Sequence, residues 1–162
     1  MTTYRSPRKD APDLQKFGPR LPIEVGLPIV KTPNQPGESP SGSQEIKGGL
    51  IDTGAARTVL IPKEVNRLRL PLVDHRTLCR VGGTEVVGVH VASVRFPNTN
   101  LTTIEIMQVL CCELPQQPVD CLIGRDILSR WLFTYDGKLG AWAIDEETRA
   151  PWIEPESEGL WR

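Results

Sequence analysis

Residues 49–55 read Gly49-Leu50-Ile51-Asp52-Thr53-Gly54-Ala55, and Thr58-Val59-Leu60 follows closely. Two bulky apolar side chains lead into a carboxylate, a hydroxyl and a glycine. In isolation, Asp-Thr-Gly is a β-turn in which the aspartate caps its own backbone. The flanks give it a more definite place. Glu45 to Asp52 is expected as a strand entering a turn at Gly54, and Thr58 to Ile61 as a second short strand. Pro62-Lys63-Glu64 then opens a brief helical turn, since proline suits the first helical position.

Downstream, Thr77 to Val81, the pair Gly82-Gly83 and Glu85 to Phe96 form the pattern of a long β-hairpin. Gly-Gly supplies the positive φ angles that a tight hairpin turn requires. Pro97-Asn98-Thr99-Asn100 is a further turn, and Leu101 to Leu110 another strand, with Ile104, Ile106 and Leu110 assigned to one face. Val119 to Ile123 is continuously apolar, as expected of a fully buried strand. After Gly124, the residues Ile127, Leu128, Trp131 and Leu132 fall at helical spacing and predict the one convincing helix. Phe133 to Tyr135 and Leu139 to Ile144 complete the strands around an Asp136-Gly137 turn.

Upstream, Leu21 to Val30 is broken by Pro22 and Pro28 and is expected at a sheet edge, where proline is tolerated. Pro33 to Ser43 has turn formers and little to bury, which predicts a long exposed loop. The chain therefore divides into a flexible basic arm (1–20), a compact domain (21–145) and an acidic tail (146–162). The arm carries a net charge of +3, while the tail with Asp145 carries −4 and holds Trp152, Ile153, Leu160 and Trp161.

The composition excludes several classes of function. Of 162 residues, 39% are hydrophobic, enough for a packed core and too many for wholesale disorder. Valine and isoleucine total 24 against 7 alanines, a balance that leans toward strands. The net charge of −1 gives no broad cationic field for nucleic acid or anionic lipid. No apolar run approaches the ~20 residues of a membrane helix. Met1-Thr2-Thr3-Tyr4-Arg5 has no apolar stretch behind it, so no secretory signal is read and a cytoplasmic address is expected. Cys79, Cys111, Cys112 and Cys121 form no Cys-x-x-Cys pair, and with only His75 and His90 beside them no zinc site is expected. The cysteines are expected to be buried small apolar side chains. The histidines are expected to be structural or surface residues, not half of a Cys–His hydrolase.

The order strand, Asp52-Thr53-Gly54-Ala55, strand, glycine hairpin, then Leu122-Ile123-Gly124 and a helix resembles the retroviral-type aspartic proteases (retropepsins) and their single-domain bacterial relatives. The resemblance spans roughly Leu21 to Ile144 and is sharpest at Leu50–Leu60 and Leu122–Leu128. It implies an all-β, closed-barrel-like fold with one short C-terminal helix. It also implies an aspartic endopeptidase that needs no metal or organic cofactor and takes an extended peptide or protein substrate. That chemistry uses two carboxylates sharing one proton, because like charges about 3 Å apart cannot both ionise. One carboxylate takes a proton from the attacking water; the other donates a hydrogen bond to the developing oxyanion. The chain has one Asp-Thr-Gly, so the second aspartate must come from another copy, and a symmetric homodimer is expected.

By the same resemblance, Asp52 is the catalytic group, Thr53 bonds across the dyad and Gly54 lets the backbone approach substrate. Ala55 leaves room beside the dyad. Val81, Gly82 and Gly83 form the tip of a flap that closes over substrate. Leu122 and Ile123, with Gly124, line the cleft wall and support the Asp52 loop. This chain also differs from the retroviral pattern. Ala56 and Arg57 stand where an acidic residue would pair with the arginine of the Gly-Arg turn, so Arg125 needs another partner. Arg57 would favour acidic substrate side chains if it faces the cleft; a solvated surface arginine is the other reading. The competing functional class is a non-catalytic dimeric module that keeps the fold and binds extended peptides without cutting them.

Overall fold

The computed structural model describes residues 3–6, 11–30, 44–80, 82–114 and 119–146. The loop expected over Pro33 to Ser43, the flap-tip residue Val81 and the tail from 147 onward lie outside the described residues. Ten strands and three helices follow in chain order: β1 (Thr3–Arg5), α1 (Ala11–Phe17), β2 (Arg20–Gly26), β3 (Gln44–Ile51), β4 (Val59–Leu60), α2 (Pro62–Leu68), β5 (Leu72–Arg80), β6 (Gly83–Arg95), β7 (Ile104–Cys111), β8 (Cys121–Ile123), α3 (Arg125–Leu128), β9 (Leu132–Asp136) and β10 (Ala141–Asp145).

Seven strands form one mixed sheet in the order β2-β3-β8-β4-β7-β6-β5. Its β3–β8 and β4–β7 pairings are parallel and the others antiparallel. An additional β2–β6 pairing curls the sheet back on itself. The edge position expected for β2 is thereby corrected: it pairs with β3 along its length and with β6 at Glu24–Gly26. Pro22 is tolerated there because it falls between the paired positions Leu21 and Ile23, ahead of the β6 pairing. At that point β3 contains an extra residue, and Gly48 takes it up at φ 76°.

The remaining strands make a three-stranded sheet, β1-β10-β9. The arm expected over residues 1–20 is therefore corrected for its described part. Thr3–Arg5 pairs with Ala143–Asp145, Tyr4 packs on Trp142 with ring centroids 5.1 Å apart, and Leu14 of α1 is buried in the core.

The expected single C-terminal helix is also corrected. Among the described residues there are three helices, and α3 is one turn long. Ile127 and Leu128 are buried as predicted, but Leu132 leaves the helical stripe, enters β9 and is 40% exposed. The brief turn at Pro62 extends to Leu68 because Val65 and Leu68 both reach the core; Arg69 stops it with a left-handed φ of 51°. On β7, Ile104 and Leu110 are buried while Ile106 is 56% exposed, because the register shifts between β6 and β7.

Two apolar clusters result. The larger joins Leu21, Ile23, Ile46, Ile51, Leu60, Ile123 and Ile127, among others, and runs on to Trp142 and Ile144. The smaller comprises Val59, Val87, Val89, Leu110, Cys112, Val119 and Leu122, flanked by half-buried Leu50, Leu78 and Leu114. Full burial of one such aliphatic side chain is worth about 1.5–3 kcal/mol.

Candidate active site

β3 and β8 run side by side in parallel, with Leu50 opposite Leu122 and Ile51 opposite Ile123. Asp52 is delivered at the end of β3, and its amide donates to the Ile123 carbonyl (3.0 Å). Its carboxylate is half-buried, and Oδ1 accepts from the amides of Gly54 (2.8 Å) and Ala55 (3.3 Å). Within one chain, the aspartate thus makes the capped turn that Asp-Thr-Gly makes on its own. Thr53 and Gly54 are exposed at its crest.

The loop is strapped from behind. The guanidinium of Arg125 donates through one nitrogen to the carbonyls of Thr53 (2.8 Å) and Gly54 (3.1 Å). Its backbone amide donates to the Ala55 carbonyl (2.9 Å). These carbonyls stand in for the acidic partner that the sequence lacks. Asp126 accepts from the amide of Thr58 (2.9 Å) and from its hydroxyl (2.8 Å). The Thr58 hydroxyl accepts in turn from the Gly124 amide (3.2 Å). Gly124 meets the second strap so closely that a Cβ there would lie 2.4 Å from the Arg57 carbonyl carbon.

Leu122 belongs to the smaller apolar cluster; Ile123 is fully buried in the larger one. Ile123 therefore supports the Asp52 loop from inside the core. The smaller cluster connects Leu50, Val59 and Leu122, beside the Asp52 loop, to Val87 and Val89 of β6 and Leu78 of β5. The hairpin is thus rooted next to the site. Its turn residues Gly82 and Gly83 have φ of 102° and 136° and open space where side chains would be. Arg57 is exposed, and Ala55 is half-buried.

Thr58 and Asp126 brace the segment after the Asp52 loop, a role that the sequence alone left unassigned. Both stand inside the quoted motifs, but a bond across 68 positions has no local signature. Of the remaining candidates, His90 Nδ1 lies 2.9 Å from the Leu70 carbonyl and His75 is exposed. Cys112 and Cys121 are buried, Cys111 is half-buried, and Cys79 is exposed against expectation because it lies on the outer hairpin strand. Burial first, then the carboxylates of Asp126 and Asp120, push the Cys121 thiol well up from its ordinary value. A recess of about 510 Å³ on the three-stranded sheet, with Arg5, Asp136 and Leu139 in its lining, includes no residue of the Asp52 loop.

Comparison with known proteins defines the class: residues 47–130 match the family model described as gag-polyprotein putative aspartyl protease. That match spans just over half of the chain, and the chain belongs to this family of retropepsin-like aspartyl proteases. Among solved structures, it is similar to the EIAV protease complexed with the inhibitor HBY-793. The sequences are 21% identical, the match covers 68% of this chain and 85% of that one, and the TM-score is 0.42. No curated protein matches the chain.

Proposed function

We propose that the protein is a homodimeric aspartic endopeptidase whose active site forms when Asp52 of two chains meet on a two-fold axis. The observation that carries this reading is the placement of Asp52. A half-buried carboxylate stands at a strand end, on a loop whose two following carbonyls are held by Arg125, with Thr53 and Gly54 exposed at its crest. The single Asp-Thr-Gly supports the need for a second copy.

In that dimer the two carboxylates share one proton. The ionised one accepts a proton from water as its oxygen attacks the peptide carbonyl. The protonated one donates a hydrogen bond to the oxyanion, and the carboxyl that took the proton from water passes it to the leaving nitrogen as the C–N bond breaks. Thr53 of each chain contacts the opposite loop. The hairpin at Gly82-Gly83 closes over an extended peptide and excludes water, and half-buried Leu50, backed by buried Val59 and Leu122, offers apolar surface to substrate side chains. The site exists only when two chains meet, so activity rises more steeply than linearly with protein concentration while monomer predominates.

The test is a peptide-library digest read by mass spectrometry, across acid to neutral pH, with the wild-type chain and Asp52→Asn. Cleavage by the wild type alone is expected. Equal cleavage by a folded Asp52→Asn dimer would sink the mechanism, and no cleavage by a demonstrated wild-type dimer would favour a peptide-binding module.

A further inference from the structure

We propose that His75 and His90 form a binding site for a divalent transition-metal ion of the zinc, copper and nickel group, on the hairpin of β5 and β6. The site stands independently of the protease reading. In the sequence the two histidines are 15 positions apart and share no motif. The register of the hairpin brings them together. His75 pairs with Gly88, and His90 lies two residues further along β6. Residues two apart on a strand share a face, and so do directly opposed residues of an antiparallel pair. Val87 and Val89, buried in the smaller apolar cluster, mark one face of β6. His75, Gly88 and His90 share the other.

The imidazole of His90 is fixed in two ways. Its Nδ1 lies 2.9 Å from the Leu70 carbonyl, which can only accept, so in this bond Nδ1 carries the proton. Nε2 of the neutral ring then holds a free lone pair. Ligating histidines are held in the same manner, one ring nitrogen donating to a carbonyl and the other facing the metal. The ring also leans over Gly88: a Cβ there would lie 3.0 Å from Nε2 and 3.4 Å from Cδ2. Nε2 thus stands over the residue that pairs with His75. Opposed Cβ positions in an antiparallel pair are about 4.5–5.5 Å apart, and zinc–imidazole bonds are about 2.0–2.1 Å long. The exposed imidazole of His75 reaches an ion held at Nε2 by turning over Gly88, where glycine leaves the space open.

The neighbourhood sets the class of ion. Asp74 is engaged elsewhere: Oδ1 accepts from the His75 amide (2.8 Å), and Oδ2 pairs with Arg76 at 3.6 Å. Among the described residues, no group of three or more His, Cys, Asp or Glu side chains is placed to hold a metal. Two imidazoles without a carboxylate favour zinc, copper or nickel over calcium or magnesium. Water completes the coordination, so the ion acts as a surface clip that ties β5 to β6 on the hairpin carrying the Gly82-Gly83 turn.

The test titrates the untagged full chain with ZnCl2 by isothermal titration calorimetry and with NiCl2 in amide NMR spectra. It compares the wild type with His75→Ala, His90→Gln and Cys79→Ser. Cys79 is exposed on the same strand and is the competing ligand. One zinc ion per chain is expected. Loss of a mere second-shell partner of a ligating imidazole costs about 10–100-fold in affinity, so His75→Ala, which removes a ligand, weakens binding at least about tenfold. His90→Gln does the same, and Cys79→Ser changes nothing. Substoichiometric Ni2+ broadens the amides of His75, Gly88 and His90 first. Zinc raises the unfolding temperature of the wild type and not that of His75→Ala, because the ion binds the paired strands.

No zinc binding by the wild type overturns the proposal, and so does equal binding by the exposed-site variant His75→Ala. Loss of binding in Cys79→Ser assigns the ion to the thiol and overturns the two-histidine site. If His90→Gln fails to fold, the broadening decides the second ligand: a centre away from Gly88 and His90 overturns its assignment.

Discussion

Asp126 accepts hydrogen bonds from both the amide and the hydroxyl of Thr58, at 2.9 and 2.8 Å, although the two residues lie 68 positions apart. That clamp joins the segment after the Asp52 loop to the helix after β8. Thr58 is 1% exposed, and its hydroxyl also accepts from the Gly124 amide. Thr58→Val keeps the shape and removes the hydroxyl. It leaves Gly124 without that acceptor and Asp126 with one donor fewer, and is expected to cost about 1–3 kcal/mol in urea unfolding. Thr58→Ser keeps both bonds and should recover most of the loss. Equal stability of Thr58→Val and wild type would show that the clamp contributes nothing.

Gly124 has an ordinary φ of −87°, so its requirement is for space and not for backbone freedom. An added Cβ would meet the Arg57 carbonyl carbon at 2.4 Å, its oxygen at 2.6 Å and the Thr58 amide at 2.8 Å. These are backbone atoms and cannot rotate away. Gly124→Ala is expected to cost more than about 3 kcal/mol, beyond the usual range of overpacking, or to prevent folding. Gly137→Ala is the control: its nearest obstacle is the Tyr135 ring at 3.1 Å, which can turn aside, and a loss below about 1 kcal/mol is expected. Similar thermal unfolding of the two variants would contradict the close approach.

The sequence made the local elements around Asp52 legible because each has a local cause. Leu50-Ile51 is a strand ending, Gly82-Gly83 demands positive φ, and Pro62 starts a helix. What stayed hidden depends on partners far away in the chain. The partner of Arg125 is a pair of main-chain carbonyls, which no side-chain pattern advertises. β1 is three residues long, too short for alternation to register, and its place is set by β10 at the other end of the fold. The helical stripe at Ile127, Leu128, Trp131 and Leu132 failed at its last member because pairing of Leu132 with Asp145 draws the chain into β9. The prolines of β2 pointed to an edge, yet Pro22 falls between paired positions and the strand is paired on both sides.

Cys121 couples stability to alkaline pH. Its thiol ionises well above the ordinary value of 9.0 in the folded chain, through burial first and the carboxylates of Asp126 and Asp120 next. Below the unfolded thiol's pKa both states hold the proton, and the stability from this site is fully present. Above it, the unfolded chain releases the proton and the folded chain keeps it, so stability falls as pH rises beyond about 9, approaching 1.4 kcal/mol per pH unit. Cys121→Ala should be less stable at neutral pH, having lost a buried group, but should show a flatter alkaline decline. An identical pH slope in the two proteins, followed by urea unfolding from pH 8 to 10, would count against the coupling.

Leu14 decides whether the N-terminal segment is an appendage or part of the fold. It is 3% exposed and belongs to the same cluster as Trp142, while Gln15 beside it is exposed. The Gly18 amide donates to the Leu14 carbonyl at 2.9 Å, closing α1 just before β2 begins. If α1 is docked as described, Leu14→Ala opens a cavity and costs about 2–5 kcal/mol, whereas Gln15→Ala changes stability by less than about 0.5 kcal/mol. A solvated arm would make the two substitutions equivalent. The loss should extend to β1, because Tyr4 and Leu14 pack on the same core. Amide exchange at Tyr4 and Arg5 should therefore quicken in Leu14→Ala, and unchanged protection there would separate the strand from the helix that follows it.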